Sequence, residues 1–225
     1  MSVPFRVAGL LTSTRYNSIV SSTNKSSRPK RQYKLGVRAA SAERTRESIL
    51  DAAVEAFRDR WYDEVTLADV AREAGVSQQT VVNHFGSKED LYLVGVRERW
   101  APAVNEVRSR VAPGDIASIV DTVCDDYAAT GAETLRTLAL AERSPVLAEI
   151  VRQGRLSHVA WVTTALGTLL DPLDDAARAR AINLCATVLD VRTWTQVRNP
   201  ESDDDTRADM GSLLRSVVDS ARSQP

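Results

Sequence analysis

Eight residues between Thr66 and Lys88 have side chains suited to chemistry, and the chemistry is recognition rather than bond breaking. Gln78, Gln79 and Asn83 carry amides that can pair in bidentate fashion with an adenine edge, while Thr80 can offer its methyl or hydroxyl to a thymine methyl or a backbone oxygen. Thr66 and Ser77 stand at helix starts, whose free N–H groups favour phosphate or are satisfied by capping alone. His84 can touch a phosphate, pack or face solvent, and Lys88 is a point charge. No catalytic set accompanies them. The two histidines, His84 and His158, are 74 positions apart, and GxSxG, HExxH and GxxxxGK[ST] are all missing. Cys124 and Cys185, 61 positions apart with no CxxC, read as buried reduced thiols rather than metal ligands. We therefore expect no catalytic residues, no metal and no cofactor, and an enzyme is the least favoured reading.

These side chains need a scaffold, and the sequence around them punctuates one. Ile49, Leu50, Ala53, Val54, Phe57 and Trp61 recur at three- and four-residue intervals, predicting an amphipathic first helix from Ser41. Thr66 can cap a second helix, with Asp69 answering it three residues on and Val65 stapling to Val70. Gly75 can take the left-handed conformation that closes it. Ser77 caps a third helix after a three-residue turn, and Ser87-Lys88-Glu89-Asp90 starts a fourth. Small Ala71 at the crossing, Gly75 in the turn and Val76, Val81 and Phe85 as anchors meet the needs of a helix-turn-helix, leaving Gln78, Gln79, Thr80 and Asn83 turned outward in whole or part. Val82 reads as packing.

With Thr66 to Ser77, Thr80 to Phe85 and Ser87 to Leu91 in place, the segment from 43 to about 100 resembles the TetR family of repressors. The resemblance implies a three-helix DNA-binding head, a helical ligand-binding and dimerisation domain, a palindromic operator and release by a small-molecule effector. It also sets Lys88 against the DNA backbone, and leaves repression as the default. Gln78 stands where that family often has Lys or Arg, and Val82 and His84 where aromatics are frequent, so phosphate attraction from the third helix is weaker than usual. These departures keep a second reading open, a helical interaction module that has lost DNA binding.

The rest of the chain is helical pattern without strand alternation, predicting an all-α protein with segments 115–130, 132–143, 145–170, 174–198 and 204–220. Their breaks are set at Gly131, Ser144-Pro145, Asp171-Pro172 and Asn199-Pro200. We divide the chain into 1–40, 41–100 (the head) and 101–225 (the effector-binding and dimerisation domain). Residues 1–40 carry eight Lys/Arg and no acid, 41–100 eight against twelve, and 101–225 thirteen against eighteen. The basic start reads as a flexible arm for an adjacent minor groove, although an Arg- and Ser-rich segment without acids also resembles a transit peptide or an over-extended start. A homodimer is expected through 174–198 and 204–220, with Leu184, Val188, Val191, Leu213, Leu214 and Val217 as apolar surface. Trp161 and Trp194 read as core before cavity lining, and His158 and Arg155 as a solvated or core-edge pair. No apolar run is long enough to span a bilayer, and a reducing cytoplasm fits the cysteines.

Overall fold

The computed structural model describes residues 29–171 and 173–223, with 29–37 as backbone alone. Two compact units divide the chain, residues 1–41 and 42–225. Among the described residues all regular structure is helical. Of the first unit, the described part is helical backbone, the opening stretch of α1 (Pro29–Asp59). The sequence reading starts this helix at Ser41 and leaves 29–40 irregular. The difference has a local cause: Pro29 takes the first helical position, where its missing N–H costs nothing, and Gln32, Lys34, Leu35, Arg38, Ala39 and Ala40 are good helix formers. The remainder of the expected arm, residues 1–28, lies outside the described residues.

The second unit holds two apolar cores. The first is built by α1, α2 (Leu67–Glu73), α3 (Gln78–Phe85) and α4 (Lys88–Gly95), with Ile49, Leu50, Val65, Val70, Val81 and Leu91 fully buried. Trp61 is not in this core. The helix ends at Asp59, so the 3.6-residue period no longer carries Trp61 inward, and it is 40% exposed.

From Gly95 the backbone passes through a π turn, Val96–Trp100, into α5 (Ala101–Arg108), and every junction residue stays in the right-handed helical region. Pro102 has no N–H to offer the Glu98 carbonyl, a common cause of such a bulge, and Arg99 Nη1 reaches that carbonyl at 3.4 Å instead. The second core lies among α6 (Ile116–Leu140), α7 (Pro145–Leu166), α8 (Asp175–Val188), α9 (Val191–Val197) and α10 (Asp203–Ser223). At the expected break Ser144 caps α7, with Pro145 in its first turn.

Two expected boundaries move. Gly131 does not break α6. The Trp194 ring lies against it so closely that a Cβ there would stand 3.0 Å from Cζ3, making the glycine a packing site inside one 25-residue helix. The expected 174–198 helix instead divides at Asp190, whose carboxylate accepts from Arg192 N at 2.8 Å and caps α9. Val191 and Leu214, expected on a dimer surface, are 3% and 0% exposed inside the chain's own core: Val191 opens α9 just after that break, and Leu214 lies on the buried face of α10 with Met210 and Val218. Leu184 and Leu213 remain on the outside, 54% and 39% exposed. Cys124 and Cys185 are buried free thiols, each pushed up to about 11 by burial.

Head and body meet at the ends of α6 and α7. Leu140 and Leu147 complete the first core, Arg136 donates to the Arg58 carbonyl at the end of α1, and the Tyr92 and Thr137 hydroxyls are 2.8 Å apart. No helix among the described residues is long and apolar enough to cross a membrane.

Candidate nucleic-acid interface

The geometry of α2 and α3 follows from three closures. Thr66 makes a full capping box: its hydroxyl oxygen accepts from Asp69 N at 3.1 Å, and its own N–H donates to Asp69 Oδ2 at 3.2 Å. The Thr66 hydroxyl and Arg72 hold Asp69 far into the acid range, at about 2. The helix ends in a Schellman turn, with Gly75 at φ +69°, Gly75 N donating to Arg72 O at 3.2 Å and Val76 N to Ala71 O at 2.9 Å. Ser77 then caps α3 by accepting from Thr80 N at 3.1 Å. Buried Ala71 lets the helices approach, and Val81 and buried Phe85 seat α3.

This leaves one side of α3 free. Gln78, Gln79 and Asn83 are exposed, while Thr80, Val82 and His84 are half-buried. The Ser77 and Thr80 hydroxyls are 2.8 Å apart, and Gln79 Nε2 donates to Asn83 Oδ1 at 3.0 Å. The amide pair keeps Gln79 Oε1 and Asn83 Nδ2 for other partners. His84 lies tilted against Phe85, with ring centres 6.4 Å apart. Gly86, at φ +83°, closes α3 and permits the turn into the Ser87 cap of α4.

Lys88 sits apart from this group and has work within the fold. Its half-buried ammonium lies 4.3 Å from the Tyr62 ring centre and donates to the carbonyls of Tyr62 at 2.9 Å and Val65 at 3.1 Å. It thereby ties the α1–α2 loop to the start of α4, with one of its three donors left over. The sequence offers no signal for this, because both carbonyls lie more than 20 residues away. It also misses the frame behind the site. Arg46 pairs with Glu98 at 2.7 Å and stacks over Phe85, and Arg99 pairs with Glu47 and Asp51, fastening α1 to the π turn. Arg60 reaches Asp69 and Glu73 at 3.6 and 3.7 Å.

The arrangement is a helix-turn-helix whose second helix presents neutral amides on an open face. A profile described as "Bacterial regulatory proteins, tetR family" matches residues 49–94, which takes in α2, α3 and the turn between them. Residues 49–94 are similar to the TetR-family head. Curated relatives match the chain over short stretches. The HTH-type transcriptional regulator AlkX of Mycobacterium tuberculosis is 48% identical over 46 residues, 20% of this chain and 22% of that protein. The regulator SrpR of Pseudomonas putida is 39% identical over 64 residues, 28% of this chain and 30% of its own length. The matched stretches thus span under a third of either relative. Beyond the TetR-type head the likeness is one of fold. A putative TetR-family regulator from Mesorhizobium loti superposes over 80% of this chain and 96% of its own, with TM-score 0.55 and 20% identity. A transcriptional regulator from Rhodococcus superposes over 82% and 100%, with TM-score 0.59 and 19% identity.

Proposed function

We propose that the protein is a sequence-specific DNA-binding transcriptional regulator, acting in the cytoplasm as a homodimer on a palindromic operator and without catalytic activity of its own. The observation that carries this reading is the exposed Gln78, Gln79 and Asn83 face of α3 on a closed, capped helix-turn-helix. Amides on such a face distinguish A·T from G·C in the major groove. Thr66 and Ser77 stand ready for phosphates beside helix starts, His84 flanks the face, and Lys88 has one donor beyond its two carbonyls. One recognition helix reads too few base pairs for specificity, which favours a dimer with half-sites about one turn apart. Leu184 on α8 and Leu213 on α10, exposed on helices that pack together, support that interface.

Repression relieved by a small-molecule effector in the body is the regulatory part of the proposal, supported by the head's family. Residues 1–40 are proposed as a basic arm that adds phosphate or minor-groove contacts. The test is selection of sequences bound by the full chain from a random DNA pool. Enrichment of a near-palindrome is expected, and a pool without enrichment overturns the reading.

A further inference from the structure

The body buries a charged cluster that DNA recognition does not use. Arg108, the last residue of α5, has its guanidinium 5.0 Å from the Trp161 ring centre and 5.9 Å from that of Tyr127. Its Nε donates to Asp126 Oδ2 at 2.7 Å, with the two side chains 12% and 2% exposed. Arg108 Nη1 lies 3.2 Å from His158 Nδ1, and His158 Nε2 lies 3.0 Å from the Ala186 carbonyl. The Arg108 carbonyl in turn accepts from Trp161 Nε1 at 3.0 Å. One cluster therefore ties α5 to α6, α7 and α8.

Its chemistry fixes a protonation state. A guanidinium only donates, so Nδ1 of His158 must accept; a carbonyl only accepts, so Nε2 must carry the proton. The imidazole is neutral. A second proton would set an N–H and a positive charge against the guanidinium at 3.2 Å. The charged groups around His158 are Arg108 from α5, Asp126 from α6 and Asp190 at the start of α9, while α8 presents the Ala186 carbonyl. Burial first, and Arg108 second, hold the imidazole below its ordinary range.

We propose that Arg108, Asp126 and His158 form a proton-sensitive clasp: proton uptake by His158 frees α5 from the body, and acid thereby weakens DNA binding. The link to the head is covalent and helical. Backbone runs from α5 through the π turn into α4, whose Leu91 and Tyr92 are buried in the head's core. The second half of the proposal rests on the DNA-binding reading; the first does not.

Above about pH 6.5 the imidazole is neutral in folded and unfolded chain alike, and the clasp is intact. Below it the unfolded chain takes the proton first. Stability is then lost as pH falls, by up to roughly tenfold in the unfolding equilibrium per pH unit, until the folded site is itself protonated. The experiment compares the full-length protein with its His158→Gln variant, whose amide offers one donor and one acceptor and does not titrate. Urea unfolding and affinity for the pool-selected operator are measured from about pH 8 to about pH 5. We expect the unmodified protein to lose up to roughly tenfold more in unfolding equilibrium per pH unit below about 6.5, and its operator affinity to fall more steeply than the variant's.

Coincident unfolding profiles overturn the clasp. Different unfolding profiles with coincident affinity profiles overturn its link to the head. Absence of operator binding at every pH defeats the DNA-binding reading and with it that link, while the unfolding comparison still decides the clasp. Should the variant fail to fold, imidazole nitrogen NMR of the unmodified protein and of His84→Gln separates the two histidines. A neutral Nε2–H tautomer for His158 at pH 7 is expected, and an imidazolium there overturns the proposal.

Discussion

Gln79 and Asn83 stand one helical turn apart on the open side of α3, with their amides already joined at 3.0 Å. Such a pair meets DNA with less rotamer freedom left to lose than two free amides would. Replacing either by Ala is expected to weaken operator binding by about 1–3 kcal/mol and to relax base preference at one half-site position, without moving the urea midpoint. Fluorescence anisotropy on labelled operator checks both effects. Lys88 is a different case, because its ammonium supports the α1–α2 loop through two carbonyls. Lys88→Met should lower folding stability by about 1–3 kcal/mol in urea, since the Tyr62 and Val65 carbonyls lose their donor. Glu133 supplies a pH-dependent term of the opposite sign to His158. Burial raises its carboxyl to about 7, above the unfolded value, so its contribution is full below about pH 4.3 and is lost as pH rises through about 7. Glu133→Gln should remove that loss from the urea profile.

Helix starts were the most legible feature at the scale of elements. Thr66, Ser77 and Ser87 announce α2, α3 and α4 in the sequence, and each caps its helix, because capping is local chemistry within three residues. Glycine is ambiguous by comparison. Gly75 closes α2 at positive φ as its position suggests, whereas Gly131 lies within a continuous helix because a ring from 63 residues away packs on it. Gly131→Val should therefore destabilise the body by about 1–3 kcal/mol through overpacking against Trp194, measurable as a lowered urea midpoint with little loss of helical signal in the native baseline. The cap at Asp190 was hidden because the apolar period runs across it. That break also sets Val191, expected on the dimer surface, into the core instead. Leu184→Asp combined with Leu213→Asp is expected to convert a dimer to monomer in sedimentation at micromolar concentration, leaving the fold intact. A monomeric unmodified protein would contradict the dimer outright.

At the scale of the whole molecule, the sequence shows a charge asymmetry that the described structure does not explain. The head carries eight basic against twelve acidic residues, and Arg46, Arg60, Arg72 and Arg99 within it are engaged in ion pairs. Phosphate attraction must then come from few groups, and residues 1–40 supply eight Lys/Arg with no acid. Deleting residues 1–38 is expected to lower operator affinity and to flatten its salt dependence by about 0.9 in log–log slope per phosphate contact removed. An unchanged slope would exclude the arm from the complex. The sequence could suggest this division of labour because net charge is additive along a chain. It could not suggest the Arg108, Asp126 and His158 cluster, whose members are brought together only by the packing of three helices.

The proposed function depends above all on base reading by the amides of α3. The most direct test repeats the random-pool selection with the full chain and with the Gln79→Ala, Asn83→Ala double variant. A near-palindrome is expected from the unmodified protein and, from the variant, the same half-site spacing with information lost at the positions facing α3. Identical motifs from both proteins would contradict it.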